Sequence, residues 1–175
     1  MRNIQKKDYL CAVNTTIMKT AKLKIIEQSD KVGLYSICFD GNDLTEYEKF
    51  VKKFLNDATL NKDFQKVFRA IHRIVANGAL ERYFRPEGKV KDHLTALSID
   101  SKILRLYCLR ISDQILIVGN GGAKITRTYE EDVELSGYVM DLQKFDQILA
   151  QELARGKVKI EQNVITGIES TTFTI

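Results

Sequence analysis

Residues 103–118 read ILRLYCLRISDQILIV, and the pattern of this stretch decides the fold. Successive side chains of an extended chain point to opposite faces. Ile103, Arg105, Tyr107 and Leu109 then share one face, and Leu104, Leu106, Cys108 and Arg110 the other. Ser112-Asp113 supplies a short turn and Gln114–Val118 a second apolar run, so the two strands are expected to pair as an antiparallel hairpin. Toward the N-terminus, Leu94–Ile99 alternates loosely as a further strand, and before it the period changes. Phe64, Val67, Phe68, Ile71, Ile74 and Val75 recur at helical spacing within about Lys62–Arg82. Gly78 interrupts the end of that helix, and Pro86 forbids its continuation. An earlier helix opens at Thr45, whose hydroxyl and Glu48 three residues on form a capping box. It carries Leu44, Tyr47, Phe50, Val51, Phe54 and Leu55. Asp40–Asp43 marks a turn after a short strand, Leu34–Phe39. Ala21–Gln28 fits a strand or a helix equally.

Beyond the hairpin, Gly119-Asn120-Gly121-Gly122 reads as the end of the strand. A helix is expected from about Val133 to Ala154, with Gly156 as its cap and extended elements at 157–160 and 165–175. The order β-α-α-β-β-β-α specifies an α+β fold, with a helical pair packed on a small, mainly antiparallel sheet and extensions at both ends.

The 175 residues are one domain's worth of chain, 44% hydrophobic and 29% charged, which excludes disorder over most of the length. No apolar run approaches the roughly 20 residues of a membrane span. The N-terminus, with Lys6, Lys7 and Asp8, does not have a signal-peptide pattern. Cys11, Cys38 and Cys108 have neither disulfide nor metal-ligand spacing, so Cys38 and Cys108 read as small buried hydrophobes of a reduced, cytoplasmic protein. The net charge of +4 hides an asymmetry. Residues 82–129 hold nine basic and four acidic groups, and residues 130–175 hold four and nine. A basic middle suits a polyanion such as nucleic acid, but on charge alone it reads as an ordinary solvated face.

The glycines at 119–122 make neither a phosphate-binding P-loop nor a dinucleotide fingerprint. The segment just after them is more specific. Gly122-Ala-Lys124-Ile-Thr-Arg127-Thr-Tyr129 places two cations and a phenol within six positions. If extended, it would face Lys124, Thr126 and Thr128 one way and Ile125, Arg127 and Tyr129 the other. Of the two histidines, His93 lies in the basic KVKDH stretch and His72 on the second helix beside Ile71.

From Glu81 to about Asp146 the chain resembles the RelE/ParE superfamily of bacterial toxins, in particular its HigB-like and phage Gp49-like branch. The likeness is carried by Arg105 on the strand LRLYCLR, by GGAKITRTY after the last core strand, by RPEGKVKDHLTAL before the hairpin, and by the helix pair ahead of it. It covers about half of the chain. Ala96 and Ser98 stand nearest to where RelE carries lysines, and the chain exceeds the roughly hundred residues of a minimal domain of this kind. The resemblance places a RelE-like core at about 34–154, with extensions at 1–33 and 155–175, all in one domain.

What the resemblance implies is metal-independent cleavage of messenger RNA on the ribosome, with no cofactor, by a toxin held by an antitoxin, itself expected to be a helix-turn-helix protein. The RNA's 2′-hydroxyl attacks the adjacent phosphate, so a site must remove a proton, stabilise charge on phosphorus and assist the leaving 5′-oxygen. Arginine suits the second task, and Arg105 and Arg127 are the candidates. Lys124 or His93 would act as the acid. Tyr129 would be a base or stack on a nucleobase, and the neighbouring cations favour its ionised form. Arg85, Lys89, Lys91, Lys102 and Arg110 are candidate contacts to the nucleic-acid backbone. Plainer readings stand beside each: Arg105 paired with an acid, Tyr129 packing its ring, Lys124 and Arg127 as anchors without chemistry, and His93 as an ordinary structural histidine. Two other functions share the fold: a binding module without catalysis, and a ParE-like inhibitor of gyrase.

Overall fold

The computed structural model describes residues 18–89 and 91–175, and of Tyr129 the backbone alone. Cys11 and the first seventeen residues of the expected N-terminal extension therefore lie outside the described residues. The described elements are β1 (Thr20–Gln28), β2 (Gly33–Phe39), α1 (Glu46–Phe54), α2 (Asn61–Asn77), β3 (Phe84–Pro86), β4 (Leu94–Leu97), β5 (Leu104–Arg110), β6 (Ile115–Ala123), α3 (Val133–Ala154), β7 (Lys159–Glu161), β8 (Val164–Thr166) and β9 (Phe173–Thr174). Among these, seven strands form one sheet in the order β3-β4-β5-β6-β2-β1-β9, and β7 and β8 form a separate hairpin. Every neighbouring pair in the large sheet is antiparallel except β2 and β6. The fold is thus α+β with a mainly antiparallel sheet.

The expected hairpin is β5–β6, with Leu109 opposite Ile117 and Arg110 opposite Leu116. Its alternation divides the core. Leu104, Leu106, Cys108, Leu116 and Val118 pack with α1 and α2, whereas Tyr107, Leu109, Ile115 and Ile117 pack with α3. Because helices cover both faces, the two strands are apolar on both sides, with Arg105, Arg110 and Asn120 as the polar exceptions. Burial drives Cys108's thiol pKa far up and keeps it protonated.

Local signals set the helix ends. Thr45 Oγ1 accepts the Glu48 N–H, and the Glu48 carboxylate accepts the Thr45 N–H at 2.7 Å, closing the capping box. Helix α2 stops at Asn77, because Gly78 turns the backbone to φ 94°. The expected run to Arg82 is therefore cut short, and residues 81–83 form a single 3₁₀ turn. At the end of α3, Gly156 takes φ 74°, just past the cap residue Arg155.

Two expectations change. Strand β6 does not end at Gly119 but runs on to Ala123, through a register shift opposite Leu106 and Cys108. The glycines extend it: a Cβ on Gly121 would stand 1.9 Å from the Arg105 carbonyl oxygen, so only glycine lets the two backbones pair there. Segment 124–128 is not extended. It bends into the 3₁₀ turn at 129–131, with Thr126 Oγ1 donating to the Thr128 carbonyl. The stretch Ala21–Gln28, open in sequence, is a strand that flanks β2 and pairs at its start with β9. A buried hydroxyl joins these parts: Ser36 Oγ donates to the Val118 carbonyl at 2.6 Å and accepts the Tyr47 N–H, linking β2 to β6 and α1.

Gly121→Ala should destabilise the fold by about 1–3 kcal/mol through overpacking. Gly137→Ala, on α3 with open space around it, should stabilise by up to about 1 kcal/mol. Urea unfolding of the two variants measures both, and equal effects would refute the steric account of Gly121.

Candidate functional site

The end of the sheet at β3 and β4 carries an open cleft of about 490 Å³. Phe84, Pro86 and Leu94 give it an apolar floor, while Arg85, Lys89, His93 and Arg110 bring basic groups, beside Glu81 and Asp92. Four candidate residues, three from the 85–93 stretch and Arg110 from the end of β5, therefore meet here. Strand pairing explains it: Arg85 stands opposite Ala96, and His93 precedes Leu94, which faces Leu109 next to Arg110.

The cations are not equally free. Arg110 Nε donates to the Ala79 carbonyl at 2.7 Å, and its outer nitrogen pairs with Asp113. It ties the hairpin turn to the segment after α2, a structural task. Arg85 Nε lies 3.1 Å from a Glu87 carboxylate oxygen. Lys89 is exposed, and among the described residues its ammonium has no ion-pair partner. Lys91, two residues on, is also exposed.

His93 is the group with built-in support. Its Nδ1 lies 2.8 Å from Asp146 Oδ1, and its backbone N–H donates to Asp146 Oδ2 at 3.1 Å. Asp146 projects from the middle of α3 and is mostly covered, whereas the His93 ring stays about half exposed at the cleft. The Asp146 hydrogen bond raises the imidazole pKa above its ordinary value, partial burial opposes this, and the charges of Asp146 and Asp92 add to the rise. In the neutral ring a hydrogen on Nδ1 points at Asp146, which leaves the lone pair on Nε2.

Arg105 lies elsewhere in function. Its residue is only 9% exposed, and its guanidinium folds back on its own loop, donating to the carbonyls of Ser101 at 2.9 Å and Leu104 at 3.0 Å. Burial, then the nearby Arg85 charge, lowers its pKa. The side chain caps the turn into β5. Lys102, Lys124 and Arg127 sit at that same end, with the Lys124 N–H donating to the Ile103 carbonyl. From there to Arg110 is the length of β5, roughly 20 Å at about 3.3 Å per residue. Arg105 thus groups with Lys102, Lys124 and Arg127 at the far end of β5 from Arg110, yet it stays close enough to Arg85 on the cleft wall for the two charges to interact. The Tyr129 side chain lies outside the described residues.

His72 edges an apolar groove with Val51, Leu55 and Phe68, and its ring meets Phe68 edge-on at 4.4 Å. Among the described residues no group of three His, Cys, Asp or Glu side chains makes a metal-ligand set, and no helix is long and apolar enough to cross a membrane. Sequence reasoning missed Asp146 as His93's partner. The two are 53 positions apart, on elements that meet only when α3 crosses the sheet.

No known protein family, curated protein or solved structure matches the chain.

The raised pKa fixes a sign. Protonated His93 is favoured by the folded state, so the pair's contribution to stability is full below the unfolded value of about 6.5 and is lost as pH rises through the higher folded value. His93→Gln should shrink the difference in urea stability between about pH 5.5 and 8.5. An unchanged difference would mean the pair carries no charge-linked stability.

Proposed function

We propose that this protein cleaves RNA as a toxin of the RelE/ParE kind, with its chemistry centred on His93. One observation carries the reading: the His93–Asp146 pair on the wall of a cleft that also holds Arg85 and Lys89. An imidazole aligned by a carboxylate is the usual general base near neutral pH. His93 Nε2 takes the proton of a 2′-hydroxyl, whose oxygen attacks the adjacent phosphorus. Arg85 neutralises charge on the non-bridging oxygens, and Lys89 gives a proton to the departing 5′-oxygen. The products are a 2′,3′-cyclic phosphate and a 5′-hydroxyl, and atoms and charge balance. The apolar floor of Phe84 and Pro86 offers a surface on which a base can rest. Partners on this reading are messenger RNA at the ribosome and an antitoxin that blocks the cleft. Lys102, Lys124 and Arg127 act at a distance as anchors for the backbone.

A second reading, a module that binds without cutting, is favoured by one fact: Arg105, which the family resemblance would make catalytic, is occupied by its own loop.

Induced expression in a bacterial host, with mapping of RNA ends, separates the two. Cleavage by the wild type with a cyclic phosphate at the new 3′ ends supports the first reading, and growth without new ends supports the second. His93→Ala should lower the cleavage rate about 100- to 10,000-fold. Arg85→Ala should lower it at unchanged melting temperature, whereas Arg105→Ala should lower the melting temperature by loss of its carbonyl contacts. Binding to RNA should weaken steeply with salt, and a flat dependence would exclude phosphate contacts.

A further inference from the structure

The loop between β3 and β4 is held by more than Asp146. The Asp92 carboxylate accepts the Lys89 N–H at 3.0 Å, the Leu94 N–H at 3.3 Å and the Gln143 side-chain amide at 3.1 Å. Gly88 makes room for it, because a Cβ there would stand 2.2 Å from Asp92 Oδ1. Gln143 and Asp146 are three residues apart on α3 and so share one face of the helix. That face grips two consecutive loop residues: Gln143 holds Asp92, and Asp146 holds His93 by both ring and backbone.

We infer that Asp92 and Gln143 are positioning residues for His93: they fix the loop so that Nδ1 stays on Asp146 and Nε2 remains the nitrogen offered to the cleft. Without them Asp146 is, among the described residues, the one side chain of α3 that still holds the loop, beside backbone bonds such as Arg110 N–H to the His93 carbonyl, and the ring is freer to turn and exchange tautomers. The charged groups around the ring are Asp146 from α3, Asp92 from its own loop, and Arg85, Lys89, Glu81 and Arg110 along the cleft. The purpose of this arrangement rests on the reading of His93 as a base. The arrangement itself does not.

The test uses the full chain with His72→Gln as background, so that His93 is its one histidine, and ¹⁵N spectra of the imidazole across pH. The parent should show Nδ1–H as the dominant neutral tautomer and a titration midpoint above the ordinary value. Gln143→Ala and Asp92→Asn should each mix the tautomers and bring the midpoint down. On RNA, each should lower kcat, by up to about 100-fold, as a misplaced reacting group does, with KM unchanged. Gln143→Lys keeps a donor within reach of Asp92 and should restore the tautomer. Gln143 lies on the helix surface, so Gln143→Ala keeps the fold and decides the matter if Asp92→Asn does not fold. Wild-type tautomer and midpoint in Gln143→Ala would overturn the proposal. If the variants shift the tautomer while the wild type cuts no RNA, the positioning role stands and the RNA reading falls.

Discussion

Strand β6 is buried on both faces, and the other elements are arranged around that constraint. Ile115 and Ile117 need cover on one side, Leu116 and Val118 on the other, and no single layer supplies both. The chain meets the demand by placing α1 and α2 on one face and α3 on the other, with β5 antiparallel along one edge and β2 parallel along the other. Burial of so much apolar surface is the main favourable term of folding. It also makes polar exceptions costly, so the buried Ser36 and Asn120 are hydrogen-bonded. Glu46 is held in the same way, its carboxylate accepting from Asn120 at 3.0 Å and Lys49 at 2.6 Å.

The candidate site is a product of the same layering. Helix α3 must cross the sheet to cover Tyr107, Leu109 and Ile117, and in crossing it reaches the loop before β4. Leu142, Phe145 and Leu149 serve the core from the inner face of α3, while Gln143 and Asp146 flank that stripe and take hold of the loop. One helix thus packs the core and orients an imidazole. Rigid elements of this kind hold a side chain more precisely than a loop does by itself.

Much of this was legible in the sequence where the signal was local. The hairpin came from alternation at 103–118, α1 from the Thr45–Glu48 box and α3 from its apolar spacing. Long-range pairing was not legible: nothing in Leu34–Phe39 announces a parallel neighbour eighty residues away. Glycine misled at 119–122, where it permits close backbone approach and does not mark a turn. For the site, the basic residues of 85–93 and His93 could be named because they cluster in sequence. Arg105 was named on the family resemblance, and its carbonyl partners in the turn before β5 could not be read from the sequence. Asp146, Asp92 and Gln143 went unassigned because their roles depend on where α3 lies.

The pairing of β1 with β9 has a consequence for the order of folding. Thr20 faces Thr174, and the backbones of Lys19 and Ile175 exchange two hydrogen bonds, so the two ends of the described chain are neighbours in the sheet. Almost the whole described chain lies in the loop that this contact closes, and contacts of such sequence separation are entropically slow to form. The β4–β5–β6 meander and the two flanking helices are far more local and can assemble first. On that order the edge strand docks late, and interactions at Phe173 act mainly on the rate of unfolding. The sheet would then begin to open at the end remote from the His93 cleft, so early unfolding and loss of the site are separate events.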